Sequence, residues 1–274
     1  MPETSLRVMS FNVRGAFHAE DNVNAWDHRA HLNVGLIRRH APDLIGFQEA
    51  QSYNISTYND SLTRYISATG ALSIRQAPNY HTLAIYWQYE RLALVTSGSF
   101  YLSPTPERWS TGWGATLVRA VNWVRFQDPR TGLEFIHANT HFDHESEDAR
   151  RESAALVVER LNALRAPDHL PVILTGDFNA MPGSATYETF MAAGYIDTYT
   201  AAGHTQPVNT YHGFDGEHFI PWAGYDNLRI DWVLTLDGAQ PWRTHSFQII
   251  TEAEPPVYPS DHYPVMAAVT LGAD

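Results

Sequence analysis

Cysteine is absent from the 274 residues, and so is lysine. The first absence removes disulfides, thiol nucleophiles and cysteine-based zinc sites together. The second makes all 18 Lys/Arg positions arginine, against 30 acidic side chains, for a formal charge of −12. No basic run of the kind that grips a phosphate backbone appears. A chain so acidic is repelled by polyanions unless a metal or a local cationic patch intervenes. Long apolar runs are missing too: none approaches the roughly 20 residues a membrane helix needs. The opening "MPETSLRVMSFNV" has no apolar leader core before its first strand, so the expectation is a cytoplasmic protein, secreted only if a leader precedes it. Internal repeats, low-complexity tracts and linker-like shifts in composition are lacking. Residues 1–274 therefore read as one domain, monomeric by default.

What is present is a large apolar store: 44% hydrophobic residues, with eight Trp, fourteen Tyr and twelve Phe. The apolar pattern predicts strands over 6–13, 43–50, 81–87, 92–103, 171–179, 228–236, 245–250 and 265–271, and a hairpin over 119–143 turned by "DPRTG". Helical spacing covers 22–40, stopped by Pro42, and a weaker helix covers 52–65. The segment 145–165 has acidic residues in its first turn and arginine in its last, as the helix dipole favours. A further helix over 184–194 starts on Ser184 and ends at Gly194. With hairpins dominating and helices inserted between early strands, a layered α+β sandwich fits better than a parallel βαβ repeat.

The chemistry concentrates where these strands end. Five segments finish in polar groups: "FN" at Asn12, "QE" at Glu49, "NTHFDH" at 139–144, "GDFN" at 176–179 and "SDH" at 260–262. A sixth, "RIDW", carries Asp231 among Ile230, Trp232, Val233 and Leu234, which implies burial. Each alone has a bland reading, as a turn residue, an edge charge or a structural histidine. Together they make sense if the strand ends converge on one cleft, because a buried carboxylate costs several kcal/mol, roughly, unless it is paired or bound to a metal. Carboxylate and amide oxygens suit a hard cation such as Mg²⁺, with Mn²⁺ or Ca²⁺ as substitutes.

The ordered set "SFNVRG", "DLIGFQEAQ", "NTHFDH", "LTGDFNAMPGS", "RIDWVL" and "SDHYPV" resembles the endonuclease/exonuclease/phosphatase superfamily, and the likeness runs from residue 7 to 270. The stretches "GSFYLSPTPE" and "GWGATLVR" are similar to a bacterial subgroup within it. The resemblance implies a four-layer α/β/β/α sandwich of the deoxyribonuclease-I type, with two mixed, mostly antiparallel sheets face to face and helices outside. It implies that Glu49 is the principal Mg²⁺ ligand, with Asn12 beside it and Asp261 serving the metal side. Asp177 and Asn179 would orient the attacking water and the phosphate, and His262, held by Asp231, would sit at the phosphoryl centre. His141 would donate to a non-bridging oxygen, while Arg119 and Asp143 are further candidates for substrate contact. The implied activity is metal-dependent hydrolysis of a phosphodiester or phosphomonoester, with a nuclease or a catalytically inactive binding module of the same fold as alternatives.

Two departures bear on the subfamily. Arg14 stands where abasic endonucleases carry an acidic residue, and Tyr80-His81 stands where the bacterial subgroup usually has a glutamate. Other hydrolase classes fit less well. "HFDH" resembles part of the zinc motif of metallo-β-lactamase-like enzymes, but Asn139 replaces its first histidine. Ser260, Asp261 and His262 are chain neighbours that point to alternate faces and cannot form a triad together. No G-x-S-x-G elbow or Walker A loop exists. The acidity and the absence of lysine favour a phosphorylated small molecule or lipid headgroup over long nucleic acid.

Overall fold

A computed structural model describes residues 2–16, 23–70 and 82–272. Two six-stranded sheets face one another. The first has strands β1 (Thr4–Asn12), β2 (Leu44–Ala50), β3 (Tyr65–Thr69), β4 (Thr82–Gln88), β11 (Trp242–Ile249) and β12 (Val265–Leu271), in the order β11-β12-β1-β2-β4-β3. The second has β5 (Ala93–Tyr101), β6 (Ala120–Gln127), β7 (Glu134–His141), β8 (Val172–Asp177), β9 (Ile196–Asp197) and β10 (Asp231–Leu236), in the order β5-β6-β7-β8-β10-β9. Each sheet holds one parallel pair, β1 with β2 and β7 with β8, among antiparallel ones.

Period-two alternation sorts most of the buried apolar side chains into three large cores, with a small fourth cluster at Leu83, Tyr101, Val118 and Ala120. Leu6 and Val8 of β1 meet Val124, Phe126, Phe135, Ile173 and Val233 between the sheets. The alternate residues Met9 and Phe11 pack outward against Trp26, Val34, Leu36 and Ile37 of α1 (Trp26–His40) and Ile55 and Tyr58 of α2 (Ser52–Ser61). On the other side Ile136, Ala138, Val172, Leu174, Trp232 and Leu234 cover α3 (Glu147–Arg165) and α4 (Ala185–Ala192) through Val157, Leu161 and Phe190. A short α5 (Thr198–Ala201) completes the helices. The layers are therefore helix, sheet, sheet, helix, as expected. The helix ends follow local chemistry. Ser146 and Ser184 cap α3 and α4 by accepting from Ala149 N–H and Tyr187 N–H, and Arg38, Arg39 and His40 close α1.

Some boundaries differ from the sequence expectation. The helix over 52–65 stops at Ser61, and Tyr65–Thr69 instead forms edge strand β3 on β4; tertiary pairing overrides a weak helical pattern rich in Asn and Ser. β11 begins at Trp242 rather than 245, and β9 and α5 were not anticipated. Tyr80-His81 lie outside the described residues.

Between the sheets the apolar core gives way to polar contacts toward one end. Asn139 Nδ2 donates to Phe47 O at 2.8 Å and its Oδ1 accepts from Gln48 Nε2 at 2.7 Å, so one side chain ties β7 to β2. The sheets approach closely at Gly46, where a Cβ would press into the Asn139 amide, with Cγ at 2.8 Å.

Candidate active site

The same alternation that buries Ile173 and Val233 between the sheets carries Asp177 and Asp231 to the end of that face. Strand register aligns them: His141 pairs with Asp177 on β8, and Asp177 with Asp231 on β10. His141, Asp177 and Asp231 thus form one row across three adjacent strands. On the facing sheet β1 ends at Asn12, whose Nδ2 donates to Asp177 Oδ2 at 2.9 Å and to Glu49 Oε1 at 3.0 Å. That amide joins the sheets and sets two carboxylates side by side, while its own oxygen accepts from Arg14 N–H.

Strict alternation would turn Glu49 toward the helices, with Ile45 and Phe47. The β2–β4 ladder is irregular between Phe47 and Ala50, and Glu49 sits at φ 58°, so the chain turns it to line the cleft. Arg14 (φ 56°) and Asn179 (φ 48°) adopt the left-handed region beside it. Such geometry costs about 1–3 kcal/mol per residue and collects at functional sites.

His262 comes from the segment before β12. Its Nδ1 donates to Asp231 Oδ2 at 2.9 Å, and its Nε2 lies 3.7 Å from Asp177 Oδ2. Asp261, its neighbour, faces the other way: Oδ2 lies 3.6 Å from Arg14 Nε. The two side chains have different partners. Ser260 bonds within the scaffold, donating from Oγ to Asn12 O at 2.7 Å. Arg29, from α1, anchors the surrounding loops: its guanidinium donates to the carbonyls of Asn24, Val13, Arg14, Gly15 and Pro259.

Four buried carboxylates, Glu49, Asp177, Asp231 and Asp261, crowd this end of the fold. Burial pushes the Asp177 and Asp261 carboxyls above the usual range, against the pull of His262. Burial alone would lower His262, but the charges of Asp231 and Asp177 outweigh it and hold the imidazole well above its ordinary pKa. Asp177, Asp231 and His262 bring one donor atom each within 4.8 Å of one another and so could hold a metal. Nδ1 of His262 and Oδ2 of Asp231 already bond each other, and Glu49 and Asp261 bring further carboxylates to the same cleft. Carboxylate oxygens gathered in one buried cleft fit a hard divalent ion.

The cleft above these groups measures about 540 Å³. Glu49, His141, Asp177, Asn179, Asp261, His262 and Arg119 line it. Arg119 Nη2 reaches His144 Nδ1 at 3.4 Å. Asp143 is placed behind the wall: its oxygens accept from Glu145, Ser146 and Thr116 N–H groups, a loop-bracing pattern. Burial raises its carboxyl, and the backbone donors of Ser146 and Glu145 more than reverse that. Arg150, Tyr211, Trp222 and Tyr225 also line the cleft and were not singled out; the only sequence signal for the three rings is the aromatic richness of their stretch, and Arg150 has none.

The sequence profile of the Endonuclease/Exonuclease/phosphatase family matches residues 9–262. The chain belongs to this family. Its members include a Bacteroides thetaiotaomicron protein of known structure that is 28% identical, with TM-score 0.88 and full coverage of both chains. A mannosyl-6-phosphatase from the same organism is also 28% identical, with TM-score 0.85 over 96% of this chain and 99% of that one. An uncharacterised protein of Acanthamoeba polyphaga mimivirus is 26% identical over 184 residues, 64% of this chain and 67% of that protein.

Proposed function

We propose that the chain is a divalent-metal-dependent phosphoesterase acting on a phosphorylated small molecule, with a sugar phosphomonoester favoured. The observation that carries this reading is the row His141–Asp177–Asp231 completed by His262 and faced by Glu49 through Asn12. The likeness to a mannosyl-6-phosphatase supports a phosphorylated sugar. Presence of Glu49, Asp177 and His262 together weighs against an inactive binding module.

In this reading Glu49 and Asp261 would hold the cation, Mg²⁺ by preference, and Asn12 fixes Glu49 against Asp177. Bound there, the cation would neutralise the non-bridging phosphate oxygens as a Lewis acid. Asp177, braced through Oδ1 by Asn179 N–H at 3.0 Å, and Asn179 itself orient the water for in-line attack. The Nδ1 contact with Asp231 fixes the His262 ring so that Nε2 faces the phosphoryl centre beside Asp177. His141, beside Asp177, and Arg119 offer donors to the phosphate.

A hydrolysis panel tests this: mannose 6-phosphate, an aryl phosphomonoester, a bis-aryl phosphodiester, sphingomyelin, and single- and double-stranded nucleic acid, each with Mg²⁺, Mn²⁺, Ca²⁺ or EDTA. Small monoesters should be cleaved fastest with Mg²⁺, and Asp231→Asn should lower kcat roughly 10²–10⁴-fold. Faster cleavage of nucleic acid would replace this substrate assignment with a nuclease. Unchanged rates in Asp231→Asn would sink the role given to the pair.

A further inference from the structure

Residues 210–228 leave the site and return to it. Thr210 N–H donates to Leu228 O at 3.0 Å and Leu228 N–H to Asn209 Oδ1 at 2.8 Å, which closes the loop at its base. That base is locked to the reacting groups. Thr210 Oγ1 accepts from Asp231 N–H, Tyr263 N–H donates to Thr210 O, and His212 and Gly213 N–H both reach Asp261 O. The loop carries a run of rings outward from the imidazole. Tyr211 packs edge-on to His262 at 5.0 Å, Trp222 lies 5.6 Å from Tyr211, and Tyr225 lies 6.4 Å from Trp222.

The inner ring is half-buried and the outer ones are exposed. Trp222 is 58% exposed and Tyr225 45% exposed, yet both line the same cleft as Glu49 and His262. Exposed large aromatics at a cleft mouth leave apolar area in water unless a ligand covers it. The same cleft is also lined by polar and charged side chains, among them His144, Glu147 and Arg150. A ligand that is apolar on one face and rimmed with hydroxyls matches both kinds of lining, whereas a flat base offers the polar groups fewer partners.

Resting on the phosphoesterase reading, we propose that Trp222 and Tyr225 form a platform for the pyranose ring of the substrate, holding the leaving sugar while its phosphate lies at Glu49 and His262. The platform selects the alcohol, and the row of polar strand ends acts on the phosphorus. Because the loop base is bonded to Asp231 and Asp261, the ring and the phosphate are registered to each other by one short stretch of backbone.

The test compares kcat/KM for mannose 6-phosphate, glycerol 1-phosphate and adenosine 5′-monophosphate in wild type, Trp222→Ala, Trp222→Phe and Tyr225→Ala. The ratio of mannose 6-phosphate to glycerol 1-phosphate should fall roughly tenfold in Trp222→Ala and be largely retained in Trp222→Phe. An unchanged ratio in both alanine variants overturns the platform. A wild-type preference for the nucleotide that disappears in Trp222→Ala overturns the pyranose assignment in favour of a base. Calorimetric titration of mannose 6-phosphate stands apart from turnover: its Kd should rise about tenfold in Trp222→Ala, and an equal Kd overturns the platform whether or not hydrolysis is seen. Absence of any hydrolysis by wild type, by contrast, counts against the phosphoesterase reading itself.

Discussion

Arg29 is a position where a single substitution should cost the fold heavily. The residue is 1% exposed and its guanidinium donates to five carbonyls, at 2.6 Å to Asn24 and Val13, 2.7 Å to Gly15, and 3.0 Å to Arg14 and Pro259. Those carbonyls belong to the segment after β1 and the segment before Asp261, so one side chain splices two walls of the site. Arg29→Met keeps the length and much of the packing against Trp26 but leaves five acceptors without their donor. Charge-assisted bonds contribute roughly 1.5–3 kcal/mol each when truncated. Relief of the guanidinium's own desolvation and rehydration of part of the loop offset much of that sum. The net expectation is a loss of about 3–5 kcal/mol, a large share of the roughly 5–15 kcal/mol that holds a domain folded. Urea unfolding followed by tryptophan fluorescence measures it. Lysine has three donors and no planar fork, so Arg29→Lys should recover only part of the loss. A methionine variant within about 1 kcal/mol of wild type, or a lysine variant equal to wild type, would refute the reasoning.

Two further outcomes follow from the intersheet space. Gly46→Ala forces a methyl group into the Asn139 and Thr175 side chains and should destabilise by about 2–3 kcal/mol; a melting temperature equal to wild type would contradict the close approach. Burial holds His137 neutral, with its pKa down at about 3 rather than 6.5. Below pH 6.5 the unfolded chain takes up a proton that the folded one refuses, so His137 costs stability as pH falls from about 6.5 toward about 3, by up to roughly 1.4 kcal/mol per pH unit. His137→Gln should flatten the acid limb of stability against pH by that amount, and identical limbs would count against it.

Much of the site was legible because β-strands alternate. Ser10 and Asn12, Thr175 and Asp177, and Asn139 and His141 each continue one face of their strand from the shared core to its polar end. Chain order and side-chain type sufficed to expect that those ends meet. The link from His262 to Asp231, thirty-one residues apart, was legible only through the family resemblance, since nothing local to "SDHYPV" names the partner. Other features are tertiary and leave no local trace. Arg29 reads as one more helical residue, and its meaning comes from five carbonyls of distant loops. Glu49 would point the wrong way by alternation; the irregular ladder with β4 and its positive φ redirect it. Asn139, inside a motif that suggests chemistry, ties the sheets together. Edge strand β3 exists because β4 offers it a partner, and Ile66 stays half exposed in it.

In the proposed reaction this row of strand ends hydrolyses phosphoesters with a divalent cation held by Glu49. Steady-state hydrolysis of mannose 6-phosphate by metal-stripped protein, with Mg²⁺ added back, tests it most directly in wild type, Glu49→Gln and His262→Ala. The account predicts saturable Mg²⁺-dependent turnover in wild type, abolition by EDTA, a raised Mg²⁺ requirement in Glu49→Gln, and a kcat reduced by roughly 10²-fold or more in His262→Ala. Full turnover in EDTA, or variants indistinguishable from wild type, would contradict it.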